Sequence, residues 1–174
     1  ADCEMPKSEL AKLDGIVKNA WAWRHGGYDF GSYSILARDL VGWDALAQYD
    51  EVIFANDSCY LVKSLDETFA RMNEKPCAWW GLQATKGIYT TRSRQPFPAT
   101  DGVLDMDHVR TKLLDQFECD PVYDFHIGSY FTAFRGDVIK DKRFQRIINA
   151  VKPEKRKLNI VLKYEVGITH FLIG

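Results

Sequence analysis

The chain has no pair of cysteines at CxxC spacing; its four cysteines, Cys3, Cys59, Cys77 and Cys119, are scattered along the whole length. That argues against the common zinc sites and suits an intracellular protein with free thiols. There is no apolar run of about 18 residues that would cross a bilayer, and no signal peptide. Charge is not in excess either. Lys and Arg number 23 against 24 Asp and Glu, a formal net charge of -1, so no global field draws in nucleic acid. What is present is a hydrophobic share of 46% and an aromatic share of 13% in 174 residues. Such a chain is too apolar for disorder and fits one domain with its own core, taken as residues 1–174.

The stretch from Asp50 to Ser58 organises the rest. Val52-Ile53-Phe54-Ala55 is short, apolar and rich in β-branched and aromatic residues, which predicts a strand buried on both faces. It stops in Asn56, Asp57 and Ser58. Ligands of open α/β sheets bind at the carboxyl ends of strands. A carboxylate flanked by an amide and a hydroxyl there suits a metal ion or a polar substrate. An Asx turn accounts for the same three residues, and both readings stand.

Upstream, Ser8 caps an expected helix carrying Leu10, Leu13, Ile16 and Val17 at helical spacing. Ala20 to Arg24 alternates around Trp21 and Trp23 and reads as a strand. His25-Gly26-Gly27-Tyr28-Asp29 follows directly, and Tyr33, Leu36, Ala37, Leu40 and Val41 then mark a helix that ends at Gly42. Glycines permit a sharp turn and close approach of a ligand. A phosphate or ribose at that helix N-terminus is a reasonable guest, although an ordinary strand-to-helix turn needs none. Asp29 is the residue that such a turn does not call for.

Downstream, Ser64 and Glu67 have capping-box spacing before Leu65, Phe69 and Met72. Ala78 to Leu82 reads as a strand, and residues 83–124 as a long loop bearing Lys86, Arg92 and Arg94. Asp105-Met106-Asp107-His108 has metal-ligand residue types, but its place before Val109, Leu113 and Leu114 favours a helix cap. Tyr130 to Phe134 alternates as a strand, approached by Asp124 and His126; Phe144, Ile147, Ile148 and Val151 mark a helix. The basic run Lys152 to Lys157 is a solvated turn or a contact for anionic lipid headgroups. In the last helix Leu158, Val161, Leu162 and Val166 form a stripe, and Glu165 falls inside it, with His170 at its edge. A carboxylate on an apolar face is either ion-paired or chemically employed. Burial lifts a carboxyl towards the range of a general base.

Several of these segments together resemble the rhamnan synthesis protein F family: Gly27-Tyr28-Asp29-Phe30-Gly31-Ser32-Tyr33, Tyr49 to Ile53 running into Asn56-Asp57-Ser58, Trp80-Gly81-Leu82, His126 with Ser129-Tyr130-Phe131, and Tyr164-Glu165-Val166-Gly167-Ile168-Thr169. Their order and spacing match over nearly the whole chain. Departures are His25 where the family usually has Asn, Leu61-Val62 where it has Gly-Pro, and Gly128 where it has Gln. The resemblance implies an α/β fold of glycosyltransferase A type, a layered Rossmann-like sheet flanked by helices. The chain starts after the first strand of such a sheet and stops at Gly174, so a fold lacking that strand, in a piece of a longer protein, is expected.

The same resemblance implies a metal-dependent hexosyltransferase of bacterial surface polysaccharide assembly. Its donor would be a nucleotide sugar such as dTDP-rhamnose, its acceptor a lipid-linked glycan, and its place the cytoplasm or the inner face of the cell membrane. Asp57 would hold Mg²⁺ or Mn²⁺, and Glu165 would act as the base. Gly27, Tyr28, Asp29, Asn56, Ser58 and His126 would contact the donor. The alternative is a non-catalytic module that binds glycan or nucleotide within a polysaccharide-assembly protein. A metal-dependent phosphohydrolase would need a tighter carboxylate cluster on one strand end.

Overall fold

A computed structural model describes residues 1–86 and 125–173. It opens with α1 (Lys7–Leu10) and a 3-10 turn, Ala11–Leu13. Helix α2 (Tyr28–Ile35) loosens into a π-helical turn at Leu36–Leu40 and is followed by the short α3 (Trp43–Leu46). Next come β1 (Glu51–Ala55), α4 (Asp66–Asn73), β2 (Trp79–Gly81) and β3 (Ala84–Lys86). Beyond residues 87–124 the chain continues as β4 (Phe125–Ile127), β5 (Phe131–Arg135), α5 (Gly136–Lys140) and α6 (Lys142–Asn149). It ends in one helical run: α7 (Lys157–Ile160), a π-helical stretch Val161–Val166, and α8 (Gly167–Ile173).

The described strands form a three-stranded antiparallel sheet in the order β1-β5-β2, with Phe54 opposite Thr132 and Trp80 opposite Ala133. A second antiparallel pair joins β3 to β4. The core lies between the larger sheet and the helices, and aromatic rings dominate it. Tyr33 of α2 stacks on Phe54 of β1 at 4.7 Å, Phe54 meets Phe134 of β5 edge-on at 5.2 Å, and Phe134 lies 4.8 Å from the fully buried Phe144 of α6. Each such pair adds about 0.5–1.5 kcal/mol beyond the area it buries. Three helices and two strands are thereby tied through one row of rings, because Trp43 of α3 extends it at 6.2 Å from Phe144.

The mixed α/β class holds. A Rossmann-like layered sheet does not emerge from the described strands, whose pairings are all antiparallel. Strand β1 is not buried on both faces: Phe54 is inside, but Ile53 and Ala55 are exposed, since β5 is its one partner among the described residues. No strand forms over 20–24; that segment runs irregularly, with Trp23 at the surface. The first helix stops at Leu13 because Gly15 turns the chain at φ +79°, leaving Ile16 and Val17 exposed. Ser64 accepts a hydrogen bond from the Asp66 N–H at 3.1 Å, but Glu67 faces Arg71 instead of closing a capping box. Arg92, Arg94 and the Asp105–His108 cap lie outside the described residues.

In the last helix the buried stripe is Ile160, Tyr164 and Ile168, while Leu162 is exposed. The expected stripe assumed a uniform 3.6-residue turn; the π-helical stretch widens the turn and rotates the face. Glu165 therefore sits beside the core stripe, half-buried.

The β3–β4 pair docks on the sheet through Gly81, where a Cβ would overlap the Ile127 γ-methyl and stand 3.1 Å from the Phe131 carbonyl oxygen. Gly81→Ala is expected to lower stability by about 1–3 kcal/mol, and adding Ile127→Ala is expected to recover part of that loss. Urea unfolding of the two single variants and the double variant measures this coupling.

Candidate functional site

The turn before α2 is built around His25. Its Nδ1 accepts the Gly27 N–H at 3.1 Å, and its Nε2 lies 3.1 Å from the Ser32 hydroxyl. Nδ1 is thus unprotonated, so Nε2 carries the hydrogen and donates it to Ser32. A Cβ on Gly31 would stand 2.7 Å from the His25 ring, and one on Gly27 would stand 2.7 Å from the Gly31 Cα. The glycines make room for an imidazole of the chain itself. Gly27 is buried and faces neither of the clefts described below.

Asp2 occupies the head of α2. Its carboxylate accepts the N–H groups of His25 (2.8 Å), Gly26 (2.9 Å) and Tyr28 (2.8 Å). Burial opposes ionisation of Asp2, but those three donors and the neighbouring imidazole outweigh it and hold its carboxyl below the usual range. The guest expected at the helix N-terminus is thus a side chain of the protein. Tyr28 takes a left-handed backbone at φ +53°, rare for a residue with a Cβ, and its ring is partly exposed. A strained aromatic at the head of a helix is the kind of feature that clusters at binding sites.

At the end of β1 the Asx-turn reading of Asn56-Asp57-Ser58 is realised. The Asn56 Oδ1 accepts the Ser58 N–H at 2.9 Å, an Asx turn, while its Nδ2 donates to Asp29 Oδ2 at 2.8 Å. Asn56 thereby joins the strand end to α2. Asp57 is exposed, with no hydrogen bond or ion pair to the described residues. Burial raises the pKa of Asp29, with the Asn56 hydrogen bond and the Lys157 ammonium pulling it back.

Glu165 faces the turn between β4 and β5. It accepts the Ser129 hydroxyl at 3.1 Å and the Ser129 N–H at 3.4 Å, and the Nε2 of the buried His126 lies 3.8 Å away. Thr169, one turn on, accepts the Ile127 N–H at 3.1 Å and donates to the Glu165 carbonyl at 3.1 Å, so β4 is pinned to the helix. His170, the next residue of α8, is exposed.

Two clefts meet at this point. The larger, about 750 Å³, is lined by Arg24, Asp29, Ser32, Asn56, Asp57 and Glu154 among others. The smaller, about 200 Å³, is lined by Tyr130, Gln83, Ser129, Lys157 and Glu165. Tyr28, Asp29 and Asn56 line both. Asp57 and Glu165 thus face adjoining clefts across a shared wall. The buried Tyr33 phenol, which lines the larger cleft, is driven well above its usual pKa, first by burial and then by the negative charges of Asp29, Glu165 and Asp57. Among the described residues no group of three or more His, Cys, Asp or Glu side chains could hold a metal ion. An exposed carboxylate such as Asp57 instead suits a cation that keeps its waters and takes phosphate oxygens as further ligands.

Lys157, Gln83 and Tyr130 were not singled out by the sequence as site residues. Lys157 sits in a run that reads as solvent-facing, and nothing local places Tyr130 beside α2. Asp2 and Ser32 were likewise silent, since their roles exist only once the N-terminal segment folds back on the glycine turn.

The His25 arrangement has a pH consequence. Burial lowers the His25 pKa below its ordinary 6.5, with the Asp2 charge opposing that shift. The unfolded chain binds this proton more readily, so the stability is complete above about pH 6.5 and falls as the pH drops through that value towards the folded pKa. Urea unfolding at pH 7.5 and 5.5 is expected to show wild-type protein losing stability on acidification, and His25→Asn losing less.

A family model described as rhamnan synthesis protein F matches residues 1–174. No curated protein matches the chain, and no solved structure does. A match over the entire length, including both segments that wall the two clefts, establishes that the chain belongs to the rhamnan synthesis protein F family and ties it to polysaccharide synthesis.

Proposed function

We propose that the chain is a glycosyltransferase that moves a sugar, rhamnose in the simplest case, from a nucleotide-sugar donor to a growing surface polysaccharide. The observation that carries this reading is the pair of adjoining clefts sharing Tyr28, Asp29 and Asn56. The larger has room for a nucleoside diphosphate. The smaller is about the size of one monosaccharide ring and offers two tyrosine rings, two amides, a lysine and carboxylates, the mixture of flat apolar faces and hydrogen-bonding groups that a sugar presents in reverse. A glycosyltransferase A-type fold is part of the proposal.

In the reaction, the acceptor hydroxyl gives its proton to Glu165 as its oxygen bonds to the anomeric carbon. The bond from that carbon to the donor diphosphate breaks, and its electron pair leaves on the diphosphate oxygen. Ser129 holds Glu165 through two hydrogen bonds, fixing the carboxylate at the rim of the smaller cleft. Attack from the face opposite the diphosphate inverts the anomeric centre. Asn56 and Ser58 orient the donor, and Asp29, held by Asn56, hydrogen-bonds a sugar or ribose hydroxyl at the shared wall. A Mg²⁺ or Mn²⁺ ion held by Asp57 and phosphate oxygens would neutralise charge on the departing diphosphate. His126, buried behind Glu165, acts through that carboxylate.

Release of nucleoside diphosphate from dTDP-rhamnose, with a glycan acceptor and with or without Mn²⁺, tests the proposal. Wild-type protein is expected to turn over in the presence of Mn²⁺. Glu165→Gln is expected to lower kcat by about 10²-fold or more, and Asp57→Ala to remove the response to Mn²⁺. Binding of the sugar nucleotide without turnover would instead identify a non-catalytic module.

A further inference from the structure

The loop after the Asn56 turn carries Tyr60, Leu61 and Val62 at 96%, 67% and 95% exposure, three consecutive apolar side chains in water, with the exposed Lys63 next to them. Single exposed apolar residues are ordinary, but a consecutive run of this kind is a defect unless something covers it. The loop starts at the clefts: Asp57 lines the larger and Ser58 the smaller. Across the same openings lies the segment 152–157. There Glu154 lines the larger cleft and Lys157 the smaller, and Pro153 sits 3.5 Å from where a Cβ on Gly26 would be. Lys152, Lys155, Arg156 and Lys157 are exposed. The one acid among them, Glu154, is taken up by Lys163 and Asn159, so the segment presents positive charge only.

We propose that these two segments form a docking surface for an anionic phospholipid bilayer, which would set the mouths of both clefts against the headgroups. Cations complement lipid phosphates, each worth about a fivefold gain in binding near an anionic surface, and the apolar tip supplies the second signal that stable peripheral attachment needs. Tyr60 is the residue type that favours the headgroup level, with an apolar ring and a polar tip. No helix of the described residues is long and apolar enough to cross a membrane. The inference does not depend on the transferase reading, because the exposed Tyr60, Leu61 and Val62 and the exposed Lys152, Lys155 and Arg156 have no part in the proposed chemistry.

Co-sedimentation with large vesicles of phosphatidylcholine alone, or of equal parts phosphatidylcholine and phosphatidylglycerol, is the test. The protein is expected to pellet with the anionic vesicles, to stay in solution with the neutral ones, and to be released at about 0.5 M salt, where screening shortens the reach of the charges. Tyr60→Ser/Leu61→Ser/Val62→Ser and Lys155→Glu/Arg156→Glu are each expected to bind at least about tenfold more weakly, with unchanged circular dichroism and thermal midpoint. Leu61→Glu serves should the triple variant misfold. No binding to anionic vesicles overturns the inference and leaves an acidic protein partner as the remaining occupant. Weakening by the charge variant alone also overturns it, because the cations would then adsorb without the loop.

Discussion

The stack of Tyr33 on Phe54, 4.7 Å between centroids, is the contact on which the arrangement of the site depends. It fixes helix α2 over strand β1 and so sets Asp29 within reach of the Asn56 amide. Phe54 is in turn backed by Phe134, and Phe134 by Phe144. Rings packed at close quarters tolerate little displacement, since small gaps forfeit much of the dispersion energy. The position of a polar cluster is therefore determined by an apolar row lying beneath it. Tyr33 joins the two systems, because its hydroxyl donates to the Ser129 carbonyl at 3.4 Å, beside the residue that holds Glu165.

The polar groups at the clefts differ in how firmly the fold holds them. Asp2, His25, Ser32 and the two glycines close a turn on themselves, taking up the N–H groups of His25, Gly26, Gly27 and Tyr28 at the entry to α2. Asn56 and Ser129 are connectors: each holds a carboxylate and itself belongs to a turn. Asp57 alone among the acids at the clefts is left to solvent. Carboxylates that are held tend to have fixed geometry, and one that is not is free to meet a ligand. The distribution of hydrogen bonds thus separates carboxylates fixed in place, Asp29 and Glu165, from one, Asp57, that can move onto a ligand.

The helical run ending the chain shows how a local departure moves a site. A regular helix would have turned Glu165 into the core stripe. The π-helical stretch Val161–Val166 puts Tyr164 there instead and sets Glu165 at the rim, facing Ser129. Such stretches weaken backbone hydrogen bonding and persist where the side-chain placement repays it. The second π-helical turn, at Leu36–Leu40, extends α2 in the same manner.

Local chemistry was sufficient for much of this protein. The strand end at Asn56, the helix from Tyr33 to its stop at Gly42, the strand before Arg135 and the amphipathic helix around Phe144 follow from apolar spacing and turn residues, and each is present. The order of motifs was also enough to identify the family. Sheet direction was not legible, because antiparallel and parallel pairing draw on the same short apolar strands and are chosen by partners far along the chain. Nor was the tenant of the glycine turn, since glycine records only that space is needed, and here His25 fills it. The approach of Asp29 and Asp57 to Lys157 and Glu165 belongs to the tertiary structure alone: α2, the end of β1 and the last helical run carry them, and only the packing of these three elements brings them to adjoining clefts.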